Sequence, residues 1–318
     1  NSLSIGLSRL ITLLLLVFLY FLTIDLVQDA KTLRKILLTL VVSGAFAALI
    51  PIVQFLFNGF KRSAGATLDP NYSALSFLIL IPLAFALANE AKKMKLLGFG
   101  IIIILLLGGS TLTFSRGGLV AVLAIFMILP AQKLLANRLR WSAAFILLLM
   151  VASLFLVKHV DPRFSLDNIK VSGGSGRLDI WTGAHKIFVD HWFTGTGLGN
   201  FSVVYFKYAS NMPSIKPWHV APTVAHNLFI ETAAETGLLG AATFLAFLGS
   251  VVFGQKRSKQ HYLHKGFRSQ ALVISMLSVS MVGFLIASLF ISTLFLKIFW
   301  ILLGLHESTR PLFVNGVK

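Results

Sequence analysis

The chain has 318 residues, 56% of them hydrophobic and only 12% charged, with a mean hydropathy of +0.84. A soluble domain carries about twice that share of charge, so an ordinary soluble fold is excluded. Lysine and arginine outnumber aspartate and glutamate 28 to 11. In so apolar a chain the excess reads as basic loops gathered on one side of a membrane, not as a nucleic-acid surface. No cysteine is present, so disulfides and thiolate metal sites are excluded.

Apolar runs of about 17–25 residues, the length at which an α-helix crosses the hydrocarbon core, recur throughout. Strands of alternating polarity are missing, which argues against a β-barrel. The pattern predicts an all-α polytopic membrane protein of about nine transmembrane helices. The first run is Ile5 to Ile24, followed by Asp25, Asp29, Lys31, Arg34 and Lys35. The second is Ile36 to Phe57, and the third Tyr72 to Ala88, ending at Lys92, Lys93 and Lys95. The fourth, Leu96 to Phe114, stops at Ser115-Arg116-Gly117-Gly118. A short fifth run, Leu119 to Leu129, ends at Pro130, and Trp141 to Val157 is the sixth. These six occupy residues 1–157.

Residues 158–225 form the one long polar segment, followed by spans seven to nine over 226–305 and a tail at 306–318. The seventh run covers Asn227 to Phe253, and the last two cover Ala271 to Leu289 and Ile291 to Leu305. Basic clusters at Lys31–Lys35, Lys92–Lys95, Lys133–Arg140 and Lys256–Arg268 fall on every second connection, which puts them on the cytoplasmic side. The long segment, Arg116 and His226 then face outward, and Asn1 starts outside. With no initiator methionine, further spans are expected to precede it.

The polar segment and its flanks hold the candidate chemistry. Arg116 ends an apolar run at the outer boundary, where an arginine either snorkels as an anchor or meets an anion. Gly117 and Gly118 would let a backbone or ligand come close. Arg177 follows a Gly/Ser run that includes Gly173 and Ser175. Leu178, Trp181, Ile187 and Phe188 then recur at helical spacing, predicting an amphipathic helix at the interface. A cation at a helix start is poor for stability and suited to holding a phosphate, although a solvated surface arginine is the plainer reading. His226 precedes Leu228, Phe229 and Ile230, near a helix start that disfavours imidazolium. A neutral imidazole can act as a general base; a hydrogen-bonded interfacial histidine is the alternative. Glu231 and Glu235 share one helix face. They are expected to bind substrate, to pair with an arginine or to line a proton path. The scattered histidines His159, His185, His191 and His219 show no metal-ligand spacing, and Gly195-x-Gly197-x-Gly199 is read as a turn.

Several segments together resemble the O-antigen ligase family: FSRGG at 114–118, SGRLDIW at 175–181, GTGLGNF at 195–201 and AHNLFIETAAETGLLG at 225–240. LDPNYSA at 68–74 resembles an upstream feature of the same family. The resemblance runs from about residue 65 to 305. It implies a GT-C-like membrane glycosyltransferase with a long outward loop containing amphipathic helices. Such enzymes work at the periplasmic or extracellular face of the cytoplasmic (inner) membrane. The donor it implies is a glycan on polyprenyl (undecaprenyl) diphosphate. The acceptor is a glycan, the lipid A core or a protein hydroxyl, and no cofactor or metal is called for. By resemblance Arg116 and Arg177 match the diphosphate-binding arginines, and His226 the histidine that activates the acceptor hydroxyl. A lipid-linked glycan flippase or other polytopic transporter is the alternative, but it should show internal repeats, and none is evident.

Overall fold

A computed structural model describes residues 2–57, 63, 65, 67, 69–160, 176–213, 215–216 and 219–310. Gly173, Gly174, Ser175, Lys61, Arg62 and residues 311–318 lie outside the described residues, as does the side chain of His159. Among the described residues the regular structure is all helical, with no strand. Among the described residues, six helical stretches are long and apolar enough to cross a membrane: Leu3–Leu26, Ala30–Phe57, Pro70–Asn89, Lys93–Thr111, Leu228–His264 and Arg268–Ser288. The protein is therefore a polytopic helical membrane protein. It divides into two compact units, Asn1–Phe18, Ser153–Ser250 and Ser288–Phe299 in one, and Leu19–Ala152, Val251–Ala287 and Trp300–Lys318 in the other.

The second unit is built largely from α2 (Ala30–Phe57), α3 (Pro70–Leu78), α4 (Leu80–Asn89), α5 (Lys93–Thr111) and α6 (Arg116–Ile128). Helix α5 packs along α2, α3 and α4. Small residues permit this approach: a Cβ on Gly109 of α5 would lie 2.7 Å from that of Ala48 in α2. The predicted third span breaks at Ile79 into α3 and α4, because Pro82 has no N–H for the Leu78 carbonyl. Every residue from Leu80 to Ala88 is buried. Helix α1 (Ser2–Leu26), whose end from Leu19 belongs here, exposes Phe21, Leu22 and Leu26 in that part, as a lipid-facing helix does. Helix α6 is shorter, and α7 (Asn137–Val160) covers the predicted sixth run.

The first unit contains α8 (Arg177–Asp190) and α9 (Phe201–Ala209) from the polar segment, and the start of α10 (Leu228–His264). Ile180, Ala184 and Ile187 line one face of α8 and meet Phe201, Tyr205 and Ala209 of α9, with Ile215, Ala225 and Ala234 closing the core. A helix is thus present where one is expected, but its buried face is Ile180, Ala184 and Ile187, and Leu178, expected on that face, is exposed. Gly183 makes room for the Tyr205 ring 2.7 Å from where a Cβ would stand. Helix α11 (Arg268–Ser288) precedes a stretch that differs from expectation. The run from Ile291 predicts a ninth span, but α12 covers only Lys297–Ser308. Its 12 residues reach about 18 Å, short of the roughly 30 Å hydrocarbon core.

Candidate functional site

The site in the first unit is organised around Ala225, the residue before His226. Trp181 Nε1 of α8 donates to the Ala225 carbonyl at 2.9 Å. The Ala225 N–H donates to Glu231 Oε2 at 2.7 Å. A second donor, Ser292 Oγ, reaches the same carboxylate oxygen. Ala225 is therefore fixed from both sides, once by the helix that begins with Arg177 and once by the helix that follows His226.

His226 has a φ of 51°, on the left-handed side that is uncommon outside glycine but that histidine, like asparagine and aspartate, enters more readily than most residues. Such backbone strain persists only where neighbours over-determine it, and it clusters at functional sites. The neighbours here are explicit. Asn227 caps α10, its Oδ1 accepting from the N–H groups of Phe229 at 2.9 Å and Ile230 at 3.0 Å. Its Nδ2 donates to the Leu289 carbonyl at 3.0 Å. His226 thus sits just outside the helix start, not in its first turn, and its side chain is half-buried.

Arg177 opens α8 directly after Gly176, whose φ of 77° ends the Gly/Ser run. Its guanidinium carbon lies 5.9 Å from the centre of the Phe290 ring, a cation–π contact. Two residues on, Asp179 Oδ2 accepts from His219 Nδ1 at 2.7 Å and from the Lys216 N–H at 3.3 Å. Desolvation works against the Asp179 charge, but the hydrogen bonds from His219 and Lys216 outweigh it and hold the carboxyl below its ordinary value. The His219 ring covers Gly176 so closely that a Cβ there would lie 2.6 Å from Nε2. His219, which lacks metal spacing in the sequence, takes as its partner a carboxylate 40 residues upstream.

Glu235 is buried, and its Oε1 accepts from the Phe201 N–H at 3.1 Å. The GTGLGNF turn clasps α10 at this level because α10 is interrupted. Gly237 has φ 64° and ψ −164°, a non-helical pair inside the helix. The interruption frees carbonyls and amides that the turn takes up. The N–H groups of Thr196 and Gly197 donate to the carbonyls of Ala234 and Glu235 at 3.1 and 2.9 Å. In return the Leu238 N–H donates to the Trp192 carbonyl at 2.7 Å. A side chain on Gly195 would collide with the Glu235 carbonyl. Both acidic residues therefore hold backbone in place. Arg9 of α1 lies within electrostatic range of both, with its guanidinium 4.8 Å from the Phe295 ring. Arg9, Ser292 and the 288–296 segment are not anticipated from sequence. The only cue there is a Ser288, Ser292, Thr293 hydroxyl series in an apolar run.

Arg116 belongs to the second unit, at the first residue of α6. Ser115 caps that helix, its Oγ accepting from the Gly118 N–H at 3.1 Å and donating to Asn71 Oδ1 at 2.9 Å. Asp69 in turn caps α3 by accepting from the Asn71 N–H at 2.7 Å. Gly118 admits Ala74 of α3, with 2.9 Å between a Cβ built there and that of Ala74, so this glycine serves helix packing. The LDPNYSA and FSRGG segments, separate in sequence, are thereby joined at Asn71 and Ser115. The structure brings Arg177, His226, Glu231 and Glu235 into one unit and Arg116 into the other.

Residues 101–245 match the family model described as O-antigen ligase. Over this region, a little under half of the chain, the protein is similar to the O-antigen ligase family. The matched span runs from within α5 to the first turns after the Gly237 break, and so takes in Arg116, Arg177, His226, Glu231 and Glu235. No curated protein matches the chain. The family supports a membrane glycan-transfer function, with lipid-linked glycan and acceptor as partners in general terms.

Proposed function

We propose that this protein transfers a glycan from a polyprenyl diphosphate carrier to an acceptor hydroxyl at the outward face of the cytoplasmic membrane, as an O-antigen ligase or a related polysaccharide polymerase. His226 takes the proton from the acceptor hydroxyl, whose oxygen attacks the anomeric carbon. The bond from that carbon to the diphosphate oxygen breaks, and the carrier leaves as the free lipid diphosphate. A single displacement inverts the anomeric configuration. Arg177 carries the negative charge that develops on the leaving group, the largest contribution such a site can make, and Arg116 is the second arginine that the sequence suggests for this role. Glu231 is a positioning residue, acting on His226 through Ala225.

The observation that carries this reading is the double clamp on Ala225, by Trp181 at 2.9 Å and Glu231 at 2.7 Å. It ties His226, with its positive φ, to the helix that starts with Arg177.

The test uses purified protein with a lipid-linked donor and an acceptor glycan. Turnover should rise with pH and level off once the imidazole is neutral. His226→Ala should remove that dependence and slow transfer by about 100-fold or more, the scale of a lost general base. Donor binding should survive in this variant. Arg177→Lys keeps the charge but loses the two-pronged fork, so it should weaken donor use. Undiminished transfer by His226→Ala removes the histidine from the mechanism. A transporter forms no new glycosidic bond in this one-compartment assay.

A further inference from the structure

The turn between α4 and α5, at the end of these helices remote from Arg116, borders a groove of 1280 Å³. Its polar rim is made by Arg34 of α2, Lys92, Lys93 and Lys95 around the start of α5, and Arg138 of α7, facing the single carboxylate of Glu90. That carboxylate is already engaged by Arg34 and by Ser269 Oγ, so it does little to offset the lysines. Arg138 is fixed across the turn, with Nη2 donating to the Ala91 carbonyl at 3.1 Å. The three lysines are exposed. The cap of α5 is Lys92, which provides no side-chain acceptor, so the first-turn amides add to the local positive potential.

The rest of the groove is of the opposite character. Leu38, Leu87, Met94, Phe99 and Ile102 line it, and Met94 is 81% exposed in the midst of the lysines. Cations above and apolar side chains below match a molecule with an anionic head and a hydrocarbon tail. A small soluble anion would leave the apolar part unused. The volume also exceeds the roughly 300–1,000 Å³ of pockets for small molecules.

We propose that this groove binds an anionic phospholipid, its phosphate among Lys92, Lys93, Lys95 and Arg138 and an acyl chain along Leu38, Phe99 and Ile102. Basic pockets between spanning helices hold anionic headgroups in this way, and each nearby cation adds to the attraction. The lipid is separate from the glycan donor and does not depend on the transfer reaction proposed above.

The experiment is lipid retention by the purified full chain, measured by native mass spectrometry after exchange into mixed nanodiscs. The probes are dioleoyl phosphatidylglycerol, dioleoyl phosphatidylcholine and free glycerol phosphate. The parent should retain phosphatidylglycerol over phosphatidylcholine. The Lys92→Gln/Lys93→Gln/Lys95→Gln variant should bind it about 100-fold more weakly, from roughly fivefold per surface cation. Arg138→Gln alone should weaken it about fivefold. A control, Lys256→Gln/Arg257→Gln, removes two exposed cations from the basic end of α10 and should change nothing. Equal retention of both lipids, or an equal loss in the control, reduces the effect to diffuse surface attraction and overturns the site. Displacement by glycerol phosphate at concentrations comparable with the lipid makes it a soluble-anion site and overturns the lipid assignment.

Discussion

At the scale of single residues, the division of labour follows from which groups are already occupied. Glu231 and Glu235 share a helix face, which in sequence suggests a substrate-binding or proton-conducting pair. One oxygen of each accepts from a backbone amide, Glu231 Oε2 from Ala225 and Glu235 Oε1 from Phe201. Sequence spacing shows that two carboxylates can meet; it does not show that a backbone amide reaches them first. The same limit hides the pairing of Asp179 with His219, whose partners come from different parts of the polar segment. That pair makes a prediction with a definite sign. The folded-state value of Asp179 is depressed, so its contribution is full above the ordinary carboxylate value and is lost as pH falls through the folded one. At neutral pH, Asp179→Asn should therefore lower stability by about 1 kcal/mol, the scale of a hydrogen bond to a charged group after partial solvent screening. The difference from the parent should shrink as the pH drops below about 4. Melting followed by tryptophan fluorescence at a series of pH values reads this directly, and a difference independent of pH would contradict it.

At the scale of elements, the apolar runs foretell the membrane helices because length and hydropathy are local properties. α1, α5 and α11 fall where the runs predict, to within a few residues, and α2 ends as predicted at Phe57 but begins at Ala30, ahead of the expected Ile36. Breaks are less visible, since they depend on what takes up the freed backbone groups. Pro82 is the sequence signal for the interruption at Ile79. The Gly237 interruption is legible only once the 192–197 turn is seen to use the carbonyls and amides it releases. The glycine-spaced GTGLG motif then has a physical purpose: Gly195 must pass against the Glu235 carbonyl. Gly237→Ala should be costly for two separate reasons. Its φ and ψ lie in a region open essentially to glycine alone, at about 1–3 kcal/mol for other residues, and a Cβ would also strike the Phe193 carbonyl. The variant is expected to melt earlier and to lose transfer in parallel, because Glu235 and the turn move together. Gly266→Ala is the control. It also has positive φ, at 79°, but nothing within 4 Å, so it should show the conformational cost without the collision.

At the scale of the whole molecule, sidedness can be tested on α10. This helix begins beside His226, breaks at Gly237 and runs on to His264, about 40 Å beyond the break. It is long enough to pass through a hydrocarbon core of roughly 30 Å and emerge beyond it. Its first turns hold the proposed catalytic site. Its last turns carry Lys256, Arg257 and Lys259 and lead to Lys265 and Arg268. Basic residues in short connections are retained on the cytoplasmic side, whereas long segments cross largely regardless of charge. One helix thus fixes both statements: if its basic end is inside, the end at His226 is outside. The absence of native cysteine makes the measurement clean. Ser210 and Lys265 are both exposed, so single cysteines at either place are accessible to reagent wherever the medium reaches them. In intact spheroplasts, Ser210→Cys should react with an impermeant maleimide and Lys265→Cys should react only after the membrane is opened. Labelling of Lys265→Cys alone would place the histidine in the cytoplasm, away from any donor presented at the outer face. That result would remove the proposed reaction along with the orientation.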